Sequence, residues 1–356
     1  MIWPAFASAI SLLRGYVMSK VCVAVDVMGG DEEPQVVLDG IDAALAADAE
    51  LTVFAVGPEE LVVPFAQKRD RVEPLVAPDT IEMGDDPIKA VMSKRKSSIV
   101  VACRAVKKGT VQGFFSAGAT GAVTAAATAY VTPFKYEDEG EQRPIRPCIT
   151  TALPNRTGGL TVFCDLGANP DVEPGDMLRF AQMGAAYARV VCDIKNPRIG
   201  LLSNGTEDSK GSHFTKECFK LMKERLTGFA GNCEGSDLVS GNFDVVVADG
   251  FAGNVALKAT EGAAKLILQE LKSTLLSSTK GKIAGLLVKS ELNAIKERLS
   301  GDAKGGAILL GLKGVVLIGH GATSVEAVKN GTLATADAVR AGLIQHVIDS
   351  VDSIVK

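Results

Sequence analysis

The chain has 356 residues, of which 47% are hydrophobic and 22% charged, enough apolar surface for a full core, so disordered and fibrous architectures are excluded. Its 38 Lys and Arg against 42 Asp and Glu leave a net charge of -4, and with only 5% aromatic residues it offers neither general attraction to nucleic-acid phosphates nor a stacking platform for bases. Seven Cys without a C-x-x-C and three His disfavour a disulfide frame, a zinc site or a His-built metal centre, and the scattered thiols fit a reducing, cytoplasmic setting.

Residues 1–17 read as an N-terminal extension. Ile2 to Leu13 is apolar like a secretory segment, but no basic residue precedes it and Arg14 follows it, so Met18 reads as an alternative start. Residues 18–356 read as one α/β unit. β-rich runs at Val21 to Val27, Leu51 to Val56, Gly113 to Phe115, Thr161 to Cys164, Ile199 to Leu202, Phe243 to Val247 and Gly314 to Ile318 each end in Gly, Asp, Asn or Pro. Between them, Val36 to Ala46, Ile99 to Lys107, Met177 to Val191, Phe214 to Leu226 and Val255 to Leu276 carry apolar residues at helical spacing. This alternation predicts a mostly parallel sheet with helices on both faces, and its glycine-rich turns are expected to share one rim, at the carboxyl ends of the strands. Pro133 to Pro147 reads as an exposed loop. Lys272 to Leu299 mixes Leu and Ile with Lys, and residues 265–300 read as a helical arm for dimer or membrane contact.

The turns carry the chemistry. Neither G-x-G-x-x-G nor G-x-x-x-x-G-K-[ST] occurs, so dinucleotide and ATP sites are poorly supported. Ser116, Gly118, Thr120 and Gly121 instead form a turn opening an Ala-rich helix, whose amides can hold a phosphate in the field of the helix dipole. Lys210 and Lys258 are the candidate cations, and Asn169 and Asn254 are expected to orient a carbonyl through their amides. Asp26, Asp165 and Asp249 end apolar strands, as helix caps or as groups orienting donors or accepting a proton. His320, between two glycines, is either a weak acid or a solvated loop residue.

At these residues the sequence resembles the bacterial phosphate acyltransferases of phospholipid synthesis. The likeness runs from Val21 to about Asn330. It is carried by Ala24 to Asp31, Ser116 to Ala122, Asp165 to Asn169, Lys195 to Leu202, Asp249 to Asn254 and Gly305 to Gly311. The family usually has Asn where this chain has Ala119, so a side-chain hydrogen bond at that point is absent. The resemblance implies a fold similar to phosphotransacetylases and isopropylmalate dehydrogenases, and transfer of a fatty acyl group from acyl carrier protein to inorganic phosphate without a metal or other cofactor. It further implies a homodimer and a cytoplasmic location at the inner face of an anionic membrane, next to a membrane glycerol-3-phosphate acyltransferase that takes the product. Catalytic roles are expected for His320, Asn254, Lys258 and Asp249. Substrate contacts are expected from Asp26, Gly29, Gly30, Asp31, Ser116, Gly118, Thr120, Gly121, Asp165, Asn169, Lys195, Asn204, Glu207 and Lys210. The alternative enzyme is a phosphotransacetylase acting on a short acyl-CoA, and the alternative class is a non-catalytic protein recruited to membranes by the arm.

Overall fold

A computed structural model describes residues 20–138, 140–292, 295 and 305–352. The N-terminal extension and the end of the arm lie outside them. An eleven-stranded sheet forms the middle layer, in the order β10-β9-β11-β8-β7-β12-β13-β4-β1-β2-β3. Its strands are β1 (Val21–Asp26), β2 (Leu51–Gly57), β3 (Val72–Val76), β4 (Gly113–Ser116), β7 (Cys148–Pro154), β8 (Leu160–Cys164), β9 (Ile199–Leu202), β10 (Phe229–Cys233), β11 (Val245–Val247), β12 (Ala307–Leu310) and β13 (Val315–Ile318). The central strands are almost wholly apolar because both of their faces are covered. Alternate residues serve the two sides: Val23, Val25, Phe115 and Val245 enter one core, and Ala24, Phe114, Phe163 and Val246 the other.

The first core is closed by α1 (Pro34–Ala47), α2 (Glu59–Ala66), α6 (Pro174–Val191), α7 (His213–Arg225), α10 (Val325–Arg340) and α11 (Leu343–Asp352). The second is closed by α3 (Pro87–Ser93), α4 (Ser98–Lys107), α5 (Thr120–Ala126) and the base of α8 (Gly250–Leu276), on which α9 (Thr279–Leu287) folds back. α5 runs on into a π-helical turn, Ala127–Val131. The expected loop at Pro133 to Pro147 instead contains a small antiparallel hairpin, β5 (Lys135–Asp138) with β6 (Glu141–Pro144). Alternating polar and charged residues on two exposed strands gave it no apolar signature.

Strand direction corrects one expectation. β3, β2, β1, β4 and β13 are mutually parallel, as are β8, β11, β9 and β10. Between these sets, β12 is antiparallel to β13 and β7, and β7 is antiparallel to β8. Three reversals turn the second set against the first, so the carboxyl ends of the two sets point in opposite directions. The glycine-rich turns therefore occupy two rims. β4 and β8 are separated by three strands, about 19 Å of sheet at the usual spacing.

Candidate functional site

The first rim gathers the turns after β1, β4 and β13. Asp26, 2% exposed at the end of β1, accepts from the Ser116 hydroxyl at 2.8 Å and from the Met28 amide at 3.1 Å. Ser116 Oγ in turn accepts from the Gly118 amide at 3.0 Å, so the buried carboxyl anchors the turn that leads into α5. The third turn is tied in by Gly319 N donating to Ser116 O at 2.8 Å, and Asp31 N donating to Gly321 O at 2.8 Å. His320, exposed between those two hydrogen-bonded glycines, is thereby held beside the Ser116–Gly121 turn. The approach requires glycine at position 29, where a Cβ would stand 2.9 Å from the Gly118 nitrogen, and at Gly30, whose φ is 113°.

α5 begins without a side-chain cap, because its N-cap is Ala119. The first-turn amides of Thr120, Gly121 and Ala122 have no intrahelical acceptor by the geometry of a helix start, and no other acceptor is found for them among the described residues. Thr120 and Gly121 are exposed, so their amides stand at the surface with the positive end of the helix dipole behind them, while Ala122 is buried. Three neighbours were not singled out from the sequence. Ser98 adds a hydrogen bond to Asp26, Pro87 of α3 lies against Gly121, and Thr323, 7% exposed beside Gly30, has a hydroxyl without a partner. Only Thr323 had a sequence signal, its place two residues after Gly321.

Burial pushes the Asp26 carboxyl above the ordinary carboxylate range, against the hydrogen bonds from Ser98, Ser116 and Met28, which favour its ionised form. A raised folded-state value means that this group's contribution to stability is complete below the unfolded value of 3.8 and is lost as pH rises through the folded value. Asp26→Asn cannot ionise. Its stability relative to the wild-type protein is therefore expected to rise as pH increases from about 4 towards neutrality. Urea unfolding midpoints of both proteins across that range check this, and a difference independent of pH would refute it.

The second rim gathers the turns after β8 and β11. Asp165 is fully buried, and its carboxylate accepts from the amides of Ile149 (2.8 Å), Ala168 (3.3 Å) and Asn169 (2.7 Å) and from the Asn169 side chain (3.0 Å). Burial raises its pKa against these bonds. Asn169 Nδ2 also donates to Pro147 O at 2.7 Å, so both of its hydrogens are engaged. That corrects the expected role of Asn169 in orienting a carbonyl: its amide holds the turn. Asp249 is the N-cap of α8, accepting from the Ala252 amide at 2.8 Å. One of its carboxylate oxygens thus serves the helix start. Asn254 and Lys258 are exposed, one turn apart on α8, and Lys258 pairs with Glu261 at 2.9 Å.

Beyond β9, Asn204 accepts from the Gly211 amide at 2.9 Å and Lys210 lies 3.9 Å from Glu207, all on exposed turns. Lys195 precedes β9 and so stands at its amino end, away from those turns. Among the described residues no hydrogen bond or ion pair joins the two rims. Nor are three His, Cys, Asp or Glu grouped among them as metal ligands would be.

Three comparisons bear on this arrangement. A family model described as "Fatty acid synthesis protein" matches residues 21–346. The phosphate acyltransferase of Geobacillus thermodenitrificans is 40% identical over 306 residues, 86% of this chain and 91% of the relative. The chain belongs to the phosphate acyltransferase family. The phosphate acyltransferase of Desulforudis audaxviator is 39% identical over 333 residues, 93% of this chain and 96% of its own. Among solved structures, a phosphotransacetylase from Streptococcus pyogenes superposes with a TM-score of 0.61 at 18% identity, covering 94% of this chain and 98% of that one. The family member described here is an acyltransferase with a phosphotransacetylase-like fold.

Proposed function

We propose that the chain transfers a fatty acyl group from an acyl-carrier-protein thioester to inorganic phosphate, giving an acyl phosphate for phosphatidic acid synthesis. The observation that carries this reading is the uncapped, amide-lined start of α5 with His320 held beside it. Phosphate rests on the free amides, and one of its oxygens attacks the thioester carbonyl carbon. The tetrahedral oxyanion needs fixed donors, which backbone amides provide without reorganisation. As it collapses the C–S bond breaks, and the departing sulfur takes a proton from His320 or from water. Asp26 acts as a positioning group, since it is sealed beneath the turn. The charge assigned from the sequence to Lys210 and Lys258 is not part of this centre, for both stand on the opposite rim and each faces a glutamate.

The purified protein is expected to consume a long-chain acyl-carrier-protein thioester only when inorganic phosphate is supplied, read by loss of thioester and appearance of hydroxylamine-reactive acyl phosphate. Loss without phosphate, or no loss, overturns the reading. Faster turnover of acetyl-CoA would favour the phosphotransacetylase alternative instead.

The reading extends to assembly and location. α8 is 27 residues, about 40 Å long, yet only Gly250 and Gly253 on it are buried. Phe251, Val255, Leu266 and Ile267 on α8 are exposed, as are Leu286 and Leu287 on α9. An apolar surface of this extent is the mark of an interface. The stem packs against a second copy of the chain, and the tip, with Lys280 and Lys282, lies on an anionic cytoplasmic membrane surface, where a membrane glycerol-3-phosphate acyltransferase takes the acyl phosphate. No helix among the described residues is long and apolar enough to cross a membrane. Leu286→Glu with Leu287→Glu is expected to abolish sedimentation with phosphatidylglycerol vesicles while sparing dimerisation and acyl transfer; retained sedimentation would exclude the tip.

A further inference from the structure

We propose that α3 and the segment joining it to α4 form the docking face for an acidic carrier that brings the acyl thioester to the α5 turn. The inference rests on the acyl-transfer reading above and names the surface its donor uses. Its first support is charge. From Pro87 to Tyr136 the chain has no Asp or Glu but eight Lys or Arg, within a protein of net charge -4. So one-sided a segment in an acidic chain makes a local positive field.

The fold places the start of that segment, with Lys89, Lys94, Arg95 and Lys96, at the candidate site, whereas Lys107 and Lys108 end α4 towards the amino end of β1. Pro87, the first residue of α3, is so close to Gly121 that a Cβ there would stand 2.8 Å from the proline ring. The loop before α3 reaches the third turn, where a Cβ on Gly321 would stand 2.8 Å from the Met83 methyl. α3 is therefore one wall of the opening above the free amides. Its outer surface is apolar at the centre, with Ile88 66% and Met92 64% exposed one turn apart. Around them Lys89, Arg95 and Lys96 are exposed and, among the described residues, form no ion pair.

The nearby acids are accounted for at the leading edge. Asp85 pairs with Lys94 at 2.7 Å, and Asp86 caps α3 by accepting from the Lys89 amide at 2.9 Å, which leaves Glu82 and Asp31 as exposed carboxylates and Asp79 as a half-buried one on the side ahead of the helix. An apolar centre ringed by unpaired cations matches the core and rim of a protein interface, and its charge selects an acidic partner. Aliphatic side chains at that centre do not suit nucleic-acid bases, which stack on aromatic rings. A carrier seated here presents its thioester, on a flexible arm, over the start of α5.

The test compares two donors of one acyl chain, the acyl-carrier-protein thioester and the pantetheine thioester, in wild type and in the triple variant Lys89→Glu, Arg95→Glu, Lys96→Glu. The variant is expected to lose about 10- to 100-fold in kcat/KM for the carrier donor, mainly through KM, and to keep the wild-type rate with the pantetheine donor. Added salt should lower the wild-type carrier kcat/KM towards the variant's value. Equal loss with both donors, or no loss with either, overturns the docking face. So does a variant that loses binding to phosphatidylglycerol vesicles while its carrier kcat/KM is unchanged, which would make this face a membrane surface. Wild-type protein that consumes neither thioester overturns the acyl-transfer reading and this proposal together, an outcome distinct from failure of the patch alone.

Discussion

Gly253→Ala is expected to destabilise the protein by about 3 kcal/mol, a large effect for one methyl group, because the added carbon has nowhere to go. Gly253 lies in the first turn of α8, and its Cβ would overlap the carbonyl oxygen of Asp165. That oxygen is backbone in the turn whose carboxylate collects four donors, so neither side yields cheaply. Relief requires lifting α8, which breaks the Asp249 cap and the bond from Gly253 N to Asp249 O at 2.8 Å. Gly262, on the same helix, is the contrast. A Cβ there meets nothing within 4 Å, so Gly262→Ala is expected to add about 0.5 to 1 kcal/mol through helix propensity. Urea unfolding of the two variants reads both signs, and a Gly253→Ala protein within about 0.5 kcal/mol of wild type would show that the turn is not rigid.

His320→Ala is expected to lower kcat by about 10²-fold while leaving the KM for phosphate nearly unchanged. The split follows from the proposed roles: phosphate is held by the amides of α5, which the substitution leaves alone, whereas the imidazole meets the sulfur only as the C–S bond breaks. If thiol departure limits the rate, an acyl thioester with a more acidic thiol should restore most of the loss, because that leaving group needs less help. A change of conformation at Gly319 or Gly321 would instead raise the phosphate KM, since those residues are bonded to Ser116 and Asp31. An unchanged kcat returns His320 to a solvated loop and leaves the backbone donors as the source of catalysis.

Much of the site was legible because its chemistry is local. An apolar run stopped by Gly, Asp or Asn marks the end of a strand, and an Ala-rich stretch after a glycine turn marks a helix start with free amides. Residues 116–121 could therefore be read as an anion site, and His320 as a group at a turn. The roles of individual carboxylates and amides were not legible in the same way. Asn169 was expected to face substrate, yet its partner is the carbonyl of Pro147, 22 positions earlier. Asp26 was expected to contact substrate, yet it is sealed by Ser98 and Ser116, which come from α4 and β4.

By itself, then, the sequence determined the alternation of strands and helices, the two-sided burial of the central strands, and the glycine turns able to meet an anion. These depend on side-chain periodicity and on backbone conformations that few residues permit. Only the tertiary structure decided which turns meet. The run of Cys148 to Pro154 and the four residues Ala307 to Leu310 are too short and plain to announce their direction, yet their antiparallel pairing reverses half of the sheet. The strand directions combine two local reversals, β7 with β8 and β12 with β13, with the pairings of β12 to β7 and of β13 to β4, which join residues more than a hundred positions apart, and together they place Ser116, Asp31 and His320 on one rim and Asp165, Asn254 and Lys258 on the other.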